Sequence, residues 1–316
     1  MMMALDQGKE AALLALVEAV RATGYRFTTV TPATHARVNG RPQNREARNL
    51  RDVLGWSRPF RPHLLPPPLL AALREAAAVV PEGDLLRPAL RLSSLDGELF
   101  LHSAFPPLAA DSVFFGPDTV RFAAAVLDHL AARERPVRRA VDIGCGSGAA
   151  GILIAKRAPG AEVVLVDINE KALRAARLNA RAAGVANVRA RPSNMLSGVE
   201  GAFDLIVSNP PFMVDAAGRA YRDGGGALGT GLSLAVVRAA AERLAPGGTL
   251  VLFTGAAIVE GADPFREAAA AACEAARLAW TYREVDPDAY GEELDGPAYA
   301  AAERIALVVL TATRPE

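Results

Sequence analysis

The residues with the clearest potential for chemistry are Asn209, Pro210, Pro211 and Phe212, which follow the apolar run 203–208. An apolar run closed by a polar-proline turn is typical of a buried strand that ends at a site. Proline fixes φ and lacks an N–H group, so the turn is stiff and its carbonyls are free to accept hydrogen bonds. An asparagine side chain, a free carbonyl and an aromatic ring suit the binding of a flat group that carries an NH2.

A second candidate site is the glycine-rich stretch 140–148, Ala-Val-Asp-Ile-Gly-Cys-Gly-Ser-Gly. We predict a strand that runs into a tight turn before a helix, because glycines accept positive φ and let a ligand approach the backbone. The next predicted strand ends in Asp167, about 20 residues further on, where a carboxylate can accept both hydroxyls of a ribose. By itself this pattern also indicates a dinucleotide-binding fold.

Two details separate the possible cofactors. Asp142 comes directly before the glycines, where its carboxylate would repel a pyrophosphate but would be neutralised by an ammonium group. Ile168 follows Asp167 and offers an apolar surface to an adenine face. A nucleoside that carries a zwitterionic amino acid therefore fits better than a dinucleotide.

With these residues in place, the stretch from Asp111 to the C-terminus resembles the class I S-adenosylmethionine-dependent methyltransferases. The resemblance implies a Rossmann-like, seven-stranded, mostly parallel sheet. It places Asp142 and the glycines around the methionine end of S-adenosylmethionine and Asp167 at the ribose. Asn194 stands where relatives often have an Asp that meets the adenine amino group. The predicted cofactor-binding residues are Phe115, Asp142, Gly144, Cys145, Gly146, Gly148, Asp167, Ile168, Asn194 and Asn209.

The turn at Asn209 narrows this resemblance, because Asn-Pro-Pro followed by an aromatic residue is similar to the motif of enzymes that methylate nitrogen conjugated to a π system. These include HemK-type glutamine-N5, adenine-N6 and ribosomal RNA guanine-N2 methyltransferases. The resemblance implies that the Asn209 side-chain oxygen and the Pro210 carbonyl accept both N–H protons and aim the nitrogen lone pair at the methyl carbon. Phe212 would stack on the flat substrate group. The predicted catalytic residues are Asn209, Pro210, Pro211 and Phe212.

Two further stretches bear on the acceptor. Residues 114–119 resemble the I-P-R-P-E-T stretch of HemK-type enzymes, and the glycine-rich segment 222–232 resembles theirs beyond the catalytic turn. Residues 193–197 and the phenylalanine at 212 look more like the guanine-N2 enzymes. Our first choice of acceptor is a glutamine in a release-factor-like protein. The alternatives are an adenine or guanine amine in RNA or DNA, a small molecule, or a non-catalytic protein that binds S-adenosylmethionine. A dinucleotide oxidoreductase is disfavoured by Asp142.

The elements that must position these residues alternate between strand and helix after Val137, which predicts an α/β domain with helices on both faces of the sheet. We predict a methyltransferase domain over residues 111–316 and a smaller, mainly helical substrate-recognition domain over residues 1–110. The strands are predicted at 139–143, 162–166, 188–191, 203–208, 249–254, 278–283 and 305–313, and the helices at 120–132, 149–157, 170–183, 232–244 and 264–276.

The N-terminal domain shows helical spacing over 7–23, 45–54 and 69–80 and a hairpin signal, Asp96-Gly97, between alternating apolar runs. We expect His102 on this hairpin to be a surface or satisfied strand histidine. The segment 35–61 contains seven arginines against Glu46 and Asp52. It predicts either a patch for phosphates or an acidic partner, or only a preference for Arg over Lys.

Composition excludes several classes. The 316 residues carry 35 basic and 35 acidic side chains, so overall charge does not point to nucleic acid or membrane. Interrupted apolar stretches predict no membrane span, and the N-terminus lacks the features of a signal peptide. Two cysteines give neither a disulfide framework nor a metal cluster. We therefore expect a cytoplasmic protein without a metal.

Overall fold

A computed structural model describes residues 2–107, 109–215, 218–219 and 221–316, with side chains from residue 8 onward. The helices are α1 Met2–Ala22, α2 Pro32–Asn39, α3 Leu50–Leu54, α4 Pro67–Glu75, α5 Pro117–Ala132, α6 Ala149–Arg157, α7 Glu170–Ala182, α8 Gly231–Arg243 and α9 Pro264–Ala275. The strands are β1 Val79–Glu82, β2 Leu85–Pro88, β3 Leu90–Leu95, β4 Glu98–Ser103, β5 Arg139–Ile143, β6 Glu162–Asp167, β7 Val188–Pro192, β8 Phe203–Ser208, β9 Leu244–Val259, β10 Ala279–Asp286 and β11 Ala302–Thr313.

The central sheet has seven strands in the order β10-β11-β9-β8-β5-β6-β7. β11 is antiparallel to both of its neighbours, and the other pairs are parallel. The predicted seven-stranded, mostly parallel sheet is therefore confirmed. The order in which the chain adds strands reverses at β5: β6 and β7 follow on one side of it, and β8 pairs with its other side. Ligands of such sheets bind at the carboxyl ends of the strands at this switch point.

Two apolar layers cover the faces of this sheet. Side chains alternate across a strand, so Val163 and Leu165 join the layer under α5, α6 and α7, while Val164 and Val166 join the layer under α8 and α9. This alternation explains why the strand runs are apolar almost without interruption. With both faces covered, only the loops at the carboxyl edge remain free to build a site.

The N-terminal part packs its own core against α7. The α1 residues Leu16, Val17 and Val20 are fully buried together with Leu178 of α7. The hairpin of β3 and β4 forms around Asp96-Gly97 as predicted. Asn179 of α7 bonds the backbone of Leu101 in β4 in both directions, at 2.8 and 3.0 Å.

Two N-terminal predictions were wrong in extent. The helix predicted over 45–54 is only α3, because the Asn49 side chain accepts the Asp52 N–H at 2.9 Å and caps the first turn there. The helix predicted over 69–80 ends at Glu75, since Ala77 adopts a left-handed φ of 50°. The chain then forms a hairpin of β1 and β2 that the sequence reading missed.

Candidate active site

Two loops meet at the switch point of the sheet. Ile143 at the end of β5 is paired with Ser208 at the end of β8, and the Ser208 hydroxyl donates to the Ile143 carbonyl at 2.8 Å. The glycine loop that begins at Gly144 and the turn that begins at Asn209 therefore start side by side. The fold brings together the two motifs that the sequence analysis singled out.

The glycine loop turns through three left-handed residues, Gly144, Gly146 and Gly148, with φ of 67°, 53° and 80°. A Cβ on Gly148 would press on α7 at 3.0 Å from Ala176, whereas a Cβ on Gly144 would meet nothing within 4 Å. Gly148 therefore permits close packing of helix on loop. Gly144 faces open space, as a residue beside a bound cofactor should.

Asp142 lies beneath this loop and is 2% exposed. One carboxylate oxygen accepts the Gly151 N–H in the first turn of α6 at 3.0 Å. Burial raises the pKa of Asp142 to about 7, against the lowering effect of this hydrogen bond, and the nearby Asp167 adds to the rise. A cation beside the loop would stabilise the ionised form, which fits the predicted role toward an ammonium group.

Asp167 ends β6, with each carboxylate oxygen fixed by a backbone N–H. Gly146 donates to one oxygen and Asn169 to the other, both at 2.9 Å. Burial raises the pKa of Asp167. A carboxylate oxygen can accept more than one hydrogen bond, so the anchored group can still receive ribose hydroxyls.

Ile168 and Asn194 lie on the open side of this half of the site. Ile168 is 70% exposed, although a large apolar side chain normally avoids water. Asn194 is also exposed. Both positions are accessible, and their predicted contacts with adenine remain predictions.

The turn of Asn209, Pro210, Pro211 and Phe212, which we name the acceptor turn, contains an unpaired polar atom. The Asn209 side-chain oxygen is buried and has no hydrogen-bond partner in the described part of the protein. Leaving a buried acceptor unpaired costs about 1–3 kcal/mol, and a donor that arrives with a ligand would remove this cost. No hydrogen bond among the described residues uses the Pro210 carbonyl. The turn thus offers two acceptors close to the glycine loop.

Phe212 is held more firmly than the sequence suggested. It is 8% exposed, and its ring lies edge-on to Tyr290 at 5.8 Å between centroids. A Cβ on Gly255 of β9 would approach this ring to 2.5 Å. Little of the ring is left for a substrate, and the predicted stacking on a flat group stays a prediction.

The glycine-rich segment 223–231 packs on the same turn. A Cβ on Gly224 would lie 2.7 Å from the Phe212 Cα, and one on Gly229 would lie 2.3 Å from the Phe212 carbonyl oxygen. Of the two interpretations of this segment, a mobile surface loop and a functional one, these contacts favour a segment that shapes the acceptor turn.

Two predicted cofactor residues are enclosed. Phe115 is 3% exposed, and its ring stacks on His102 at 5.0 Å and on Phe100 at 5.7 Å. Cys145 is also buried, and burial raises the pKa of its thiol. Both side chains are packed in the interior beside the loop, where they are not accessible to a cofactor. His102 is a satisfied strand histidine, with Nε2 at 2.8 Å from the Ser93 hydroxyl.

Two residues that the sequence analysis did not single out, Tyr290 and Asn179, help to hold the site in place. Tyr290 has a left-handed φ of 59° and donates its hydroxyl to Asp118, a buried residue in the first turn of α5. Backbone strain in a bulky residue is often found at functional positions. Asn179 links the glycine loop to β4, because it also donates to the Ser147 carbonyl at 2.9 Å. No local pattern marks Tyr290 or Asn179, since each acts across a long sequence separation.

Two negative observations apply to the described residues. They contain no cluster of His, Cys, Asp and Glu side chains that could hold a metal ion. None of the described helices combines the length and apolar character needed to cross a bilayer.

Comparison with known families gives one match. Residues 108–259 match the family model of the methyltransferase small domain. This match confirms the predicted resemblance to methyltransferases over these residues, a family whose predicted cofactor is S-adenosylmethionine. The glycines with open space beside Gly144, the two anchored acids and the unpaired Asn209 oxygen fit that cofactor and an acceptor next to it.

Curated relatives act on different acceptors. The chain is 34% identical over 188 residues to the release factor glutamine methyltransferase of Deinococcus radiodurans, which covers 56% of this chain and 63% of the relative. It is 42% identical over 84 residues to the ribosomal RNA small subunit methyltransferase C of Haemophilus influenzae, which covers 27% of this chain and 25% of the relative. The chain thus spans less than two thirds of the length of either relative.

Among solved structures, Trm5b from Pyrococcus abyssi has a similar fold. The TM-score is 0.50 at 16% sequence identity, over 75% of this chain and 62% of that chain. Likeness at this level of identity concerns the fold alone. It agrees with the Rossmann-like sheet described above.

Proposed function

We propose that the protein is an N-methyltransferase that acts on a planar amide or exocyclic amino nitrogen. The observation that carries the proposal is the buried, unpaired Asn209 oxygen beside the glycine loop. S-adenosylmethionine, when bound, supplies an electrophilic methyl group. The residues Asp142, Gly144, Gly146, Gly148, Asp167, Ile168 and Asn194 would hold it, with Asp142 toward the ammonium group and Asp167 toward the ribose.

Asn209 and Pro210 perform the acceptor chemistry in this proposal. An amide or aniline-like nitrogen is a poor nucleophile because its lone pair is delocalised. If the Asn209 oxygen and the Pro210 carbonyl accept its two N–H protons, the nitrogen becomes more pyramidal and its lone pair points in one direction. Fixed dipoles and positioning do this without a strong general base. The Asn209 oxygen is buried in this structure. The acceptor must therefore displace the protein atoms that cover this oxygen when it binds.

A protein glutamine is our first choice of acceptor. The alignments to release factor glutamine methyltransferases extend over 188 and 189 residues of two relatives, more than twice the 84 residues aligned to the ribosomal RNA enzyme. The second candidate is an adenine or guanine amine of a nucleic acid, which the exposed arginines of the N-terminal part favour. The division into a recognition domain over 1–110 and a catalytic domain over 111–316, and a cytoplasmic location, belong to this proposal.

Transfer of a labelled methyl group into cell extract tests the proposal. The extract is incubated with the protein and labelled S-adenosylmethionine, then separated into protein, RNA and small-molecule fractions. We expect label in one macromolecular fraction, on nitrogen, and labelling slower by about a hundredfold or more with the matched variant Asn209→Ala. Equal labelling by Asn209→Ala would refute the mechanism. Label confined to small molecules would refute a macromolecular acceptor while leaving the chemistry intact.

A further inference from the structure

A group of unpaired arginines lies on the N-terminal part, and we name Arg37, Arg41, Arg45 and Arg51 the arginine surface. All of them are exposed. Three neighbours in the same segment are neutralised: Arg48 and Arg58 by Asp52, at 3.4 and 2.8 Å, and Arg61 by Glu46, at 3.2 Å. Among the side chains that the structure describes, no acid pairs with the four arginines of the surface.

Buried Asn44 holds this surface together. Its side-chain amide donates to the Val38 carbonyl at 2.8 Å, its backbone N–H donates to the Arg41 carbonyl at 2.9 Å, and its side-chain oxygen accepts from Arg48 at 3.2 Å. The end of α2 and the turn that follows are thereby held against Arg48, two residues before α3. Cations gathered in this way repel one another in the free protein, and a polyanion would relieve that repulsion.

Aromatic rings adjoin the charges. Trp56 and Phe105 are partly exposed, and the ring of buried His35 lies between them, with centroids at 5.3 Å from Trp56 and 3.8 Å from Phe105. The Trp56 backbone N–H donates to the Arg51 carbonyl at 3.2 Å, so this ring lies beside a member of the arginine surface. Positive charge beside flat apolar rings is how proteins bind single strands, by phosphate contacts and base stacking.

Hydrogen bonds connect this region to the acceptor turn. Soon after Phe105, the Pro107 carbonyl accepts the Tyr221 hydroxyl at 3.1 Å. Tyr221 precedes Arg222, whose carbonyl accepts the Met213 N–H at 3.1 Å, next to Phe212. The aromatic rings beside the arginine surface are therefore linked to the turn at Asn209 by one short series of contacts.

We propose that the arginine surface, with Trp56 and Phe105, binds single-stranded RNA. An acidic protein would satisfy the guanidinium groups but would make no use of the partly exposed sides of the two rings, so the observations favour a nucleic acid. The proposal goes beyond the proposed methyl transfer and does not depend on it, because the strand is held by residues outside the switch point.

Fluorescence anisotropy with an end-labelled, unstructured RNA of mixed sequence tests the binding. The variant Arg37→Ala/Arg41→Ala/Arg45→Ala/Arg51→Ala is compared with Arg74→Ala/Arg138→Ala/Arg238→Ala/Arg283→Ala, which removes the same charge from exposed positions elsewhere. For the first variant we expect weaker binding and a salt slope of log K against log salt that is shallower by about 3, since each lost phosphate contact contributes about 0.7. The control variant should bind nearly as the wild type does.

The base contacts are tested by intrinsic fluorescence. Trp56 and Trp280 are the two tryptophans of the chain, so Trp280→Phe leaves Trp56 as the single reporter. We expect the RNA to quench it. An unchanged far-ultraviolet circular dichroism spectrum shows that each variant is folded.

Three results would overturn the proposal: equal losses in the two arginine variants, no quenching of Trp56, or tighter binding of a polyglutamate peptide than of RNA at the same salt. Binding is measured without methyl transfer. Failure of the proposed function, seen with Asn209→Ala, is therefore distinguishable from failure of RNA binding.

Discussion

The site has two halves that are built in different ways. We name the glycine loop with Asp142 and Asp167 the cofactor half, and the acceptor turn with the residues that hold it the acceptor half. In the cofactor half, Asp142 and Asp167 each accept backbone N–H groups from residues at most about two dozen positions away, within the stretch 142–169. In the acceptor half, Phe212 is held by Gly255 and Tyr290, and Tyr290 is in turn bonded to Asp118. One half is a local structure, and the other is assembled from four distant segments.

The halves also differ in how their polar atoms are satisfied. The acids of the cofactor half are anchored before any ligand binds, whereas the Asn209 oxygen is buried without a partner. An anchored group positions a ligand, and an unpaired one favours the ligand that brings the missing donor. We infer that the cofactor half selects one constant molecule and that the acceptor half selects a kind of nitrogen.

The largest effect is expected for a substitution of Asn209, which should lower turnover without changing cofactor affinity. In Asn209→Ala the acceptor loses one of its two preorganised hydrogen bonds, and loss of one such group typically slows turnover by about 10²–10³. Single-turnover methyl transfer should fall by this factor, while calorimetry with S-adenosylhomocysteine gives nearly the wild-type affinity. Ser208→Ala, at the adjacent buried position, is the control for damage to the turn. A parallel loss of cofactor binding would contradict a division between the halves.

Asp167→Ala should give the converse result. Hydrogen bonds to a charged group contribute about 1.5–3 kcal/mol each, so affinity for S-adenosylhomocysteine should fall by about a hundredfold. Turnover at saturating cofactor should stay within a few fold of the wild type. Asp111→Ala removes an exposed carboxylate that pairs with Lys171 at 2.7 Å and should change neither quantity. If Asp167→Ala slows saturated turnover as much as it weakens binding, the cofactor half also acts on the acceptor.

The pH dependence of cofactor binding sharpens the role of Asp142. Burial raises its pKa to about 7, so below that pH the carboxyl of the free protein is protonated. A bound ammonium group stabilises the ionised form and lowers the pKa in the complex. Affinity for S-adenosylhomocysteine should therefore rise about tenfold or more from pH 5.5 to 7.5 and level off above, as measured by calorimetry.

Asp142→Asn is the control for this pH dependence, because Asp167 also has a raised pKa and remains in the variant. The variant should bind weakly at pH 7.5 and lose the larger part of the dependence. An unchanged profile would assign the titration to Asp167. The stability of the free protein depends on pH in the opposite direction to the cofactor affinity. A carboxyl whose pKa is raised on folding stabilises the folded protein at acid pH, and this contribution is lost as the pH rises toward 7.

The smallest expected effect concerns Tyr290. Tyr290→Phe keeps the ring against Phe212 and removes the hydroxyl that bonds Asp118. We expect turnover to fall about three- to tenfold through looser positioning of the turn, with unchanged affinity for S-adenosylhomocysteine. Tyr282→Phe removes a similar bond, to Asp263 at 2.6 Å, outside the site. If both variants lose turnover equally, Tyr290 contributes only to general stability.

Local patterns predicted the catalytic part well. The strand at 203–208 and the helix at 149–157 have the predicted bounds. The spacing of apolar residues in each sequence fits the place of that element, in the buried sheet for the strand and against the sheet for the helix. The prediction was poorer in the N-terminal part, where the cap at Asn49 and the left-handed Ala77 end helices that the apolar spacing would continue. A single side-chain hydrogen bond or one unusual φ decides such ends, and apolar spacing does not report either.

The sequence by itself determined the order of the elements, the glycine loop, the two acids and the acceptor turn, because these depend on contacts within a few residues or within one strand–loop–helix unit. Only the tertiary structure decided that Phe115 faces inward, that Phe212 is enclosed and that Tyr290 and Asn179 support the site. Those outcomes depend on which distant segments pack together across the sheet edge. Asn209 depends on both. The sequence shows that an asparagine stands there, and the packing around its side chain leaves the oxygen buried without a partner.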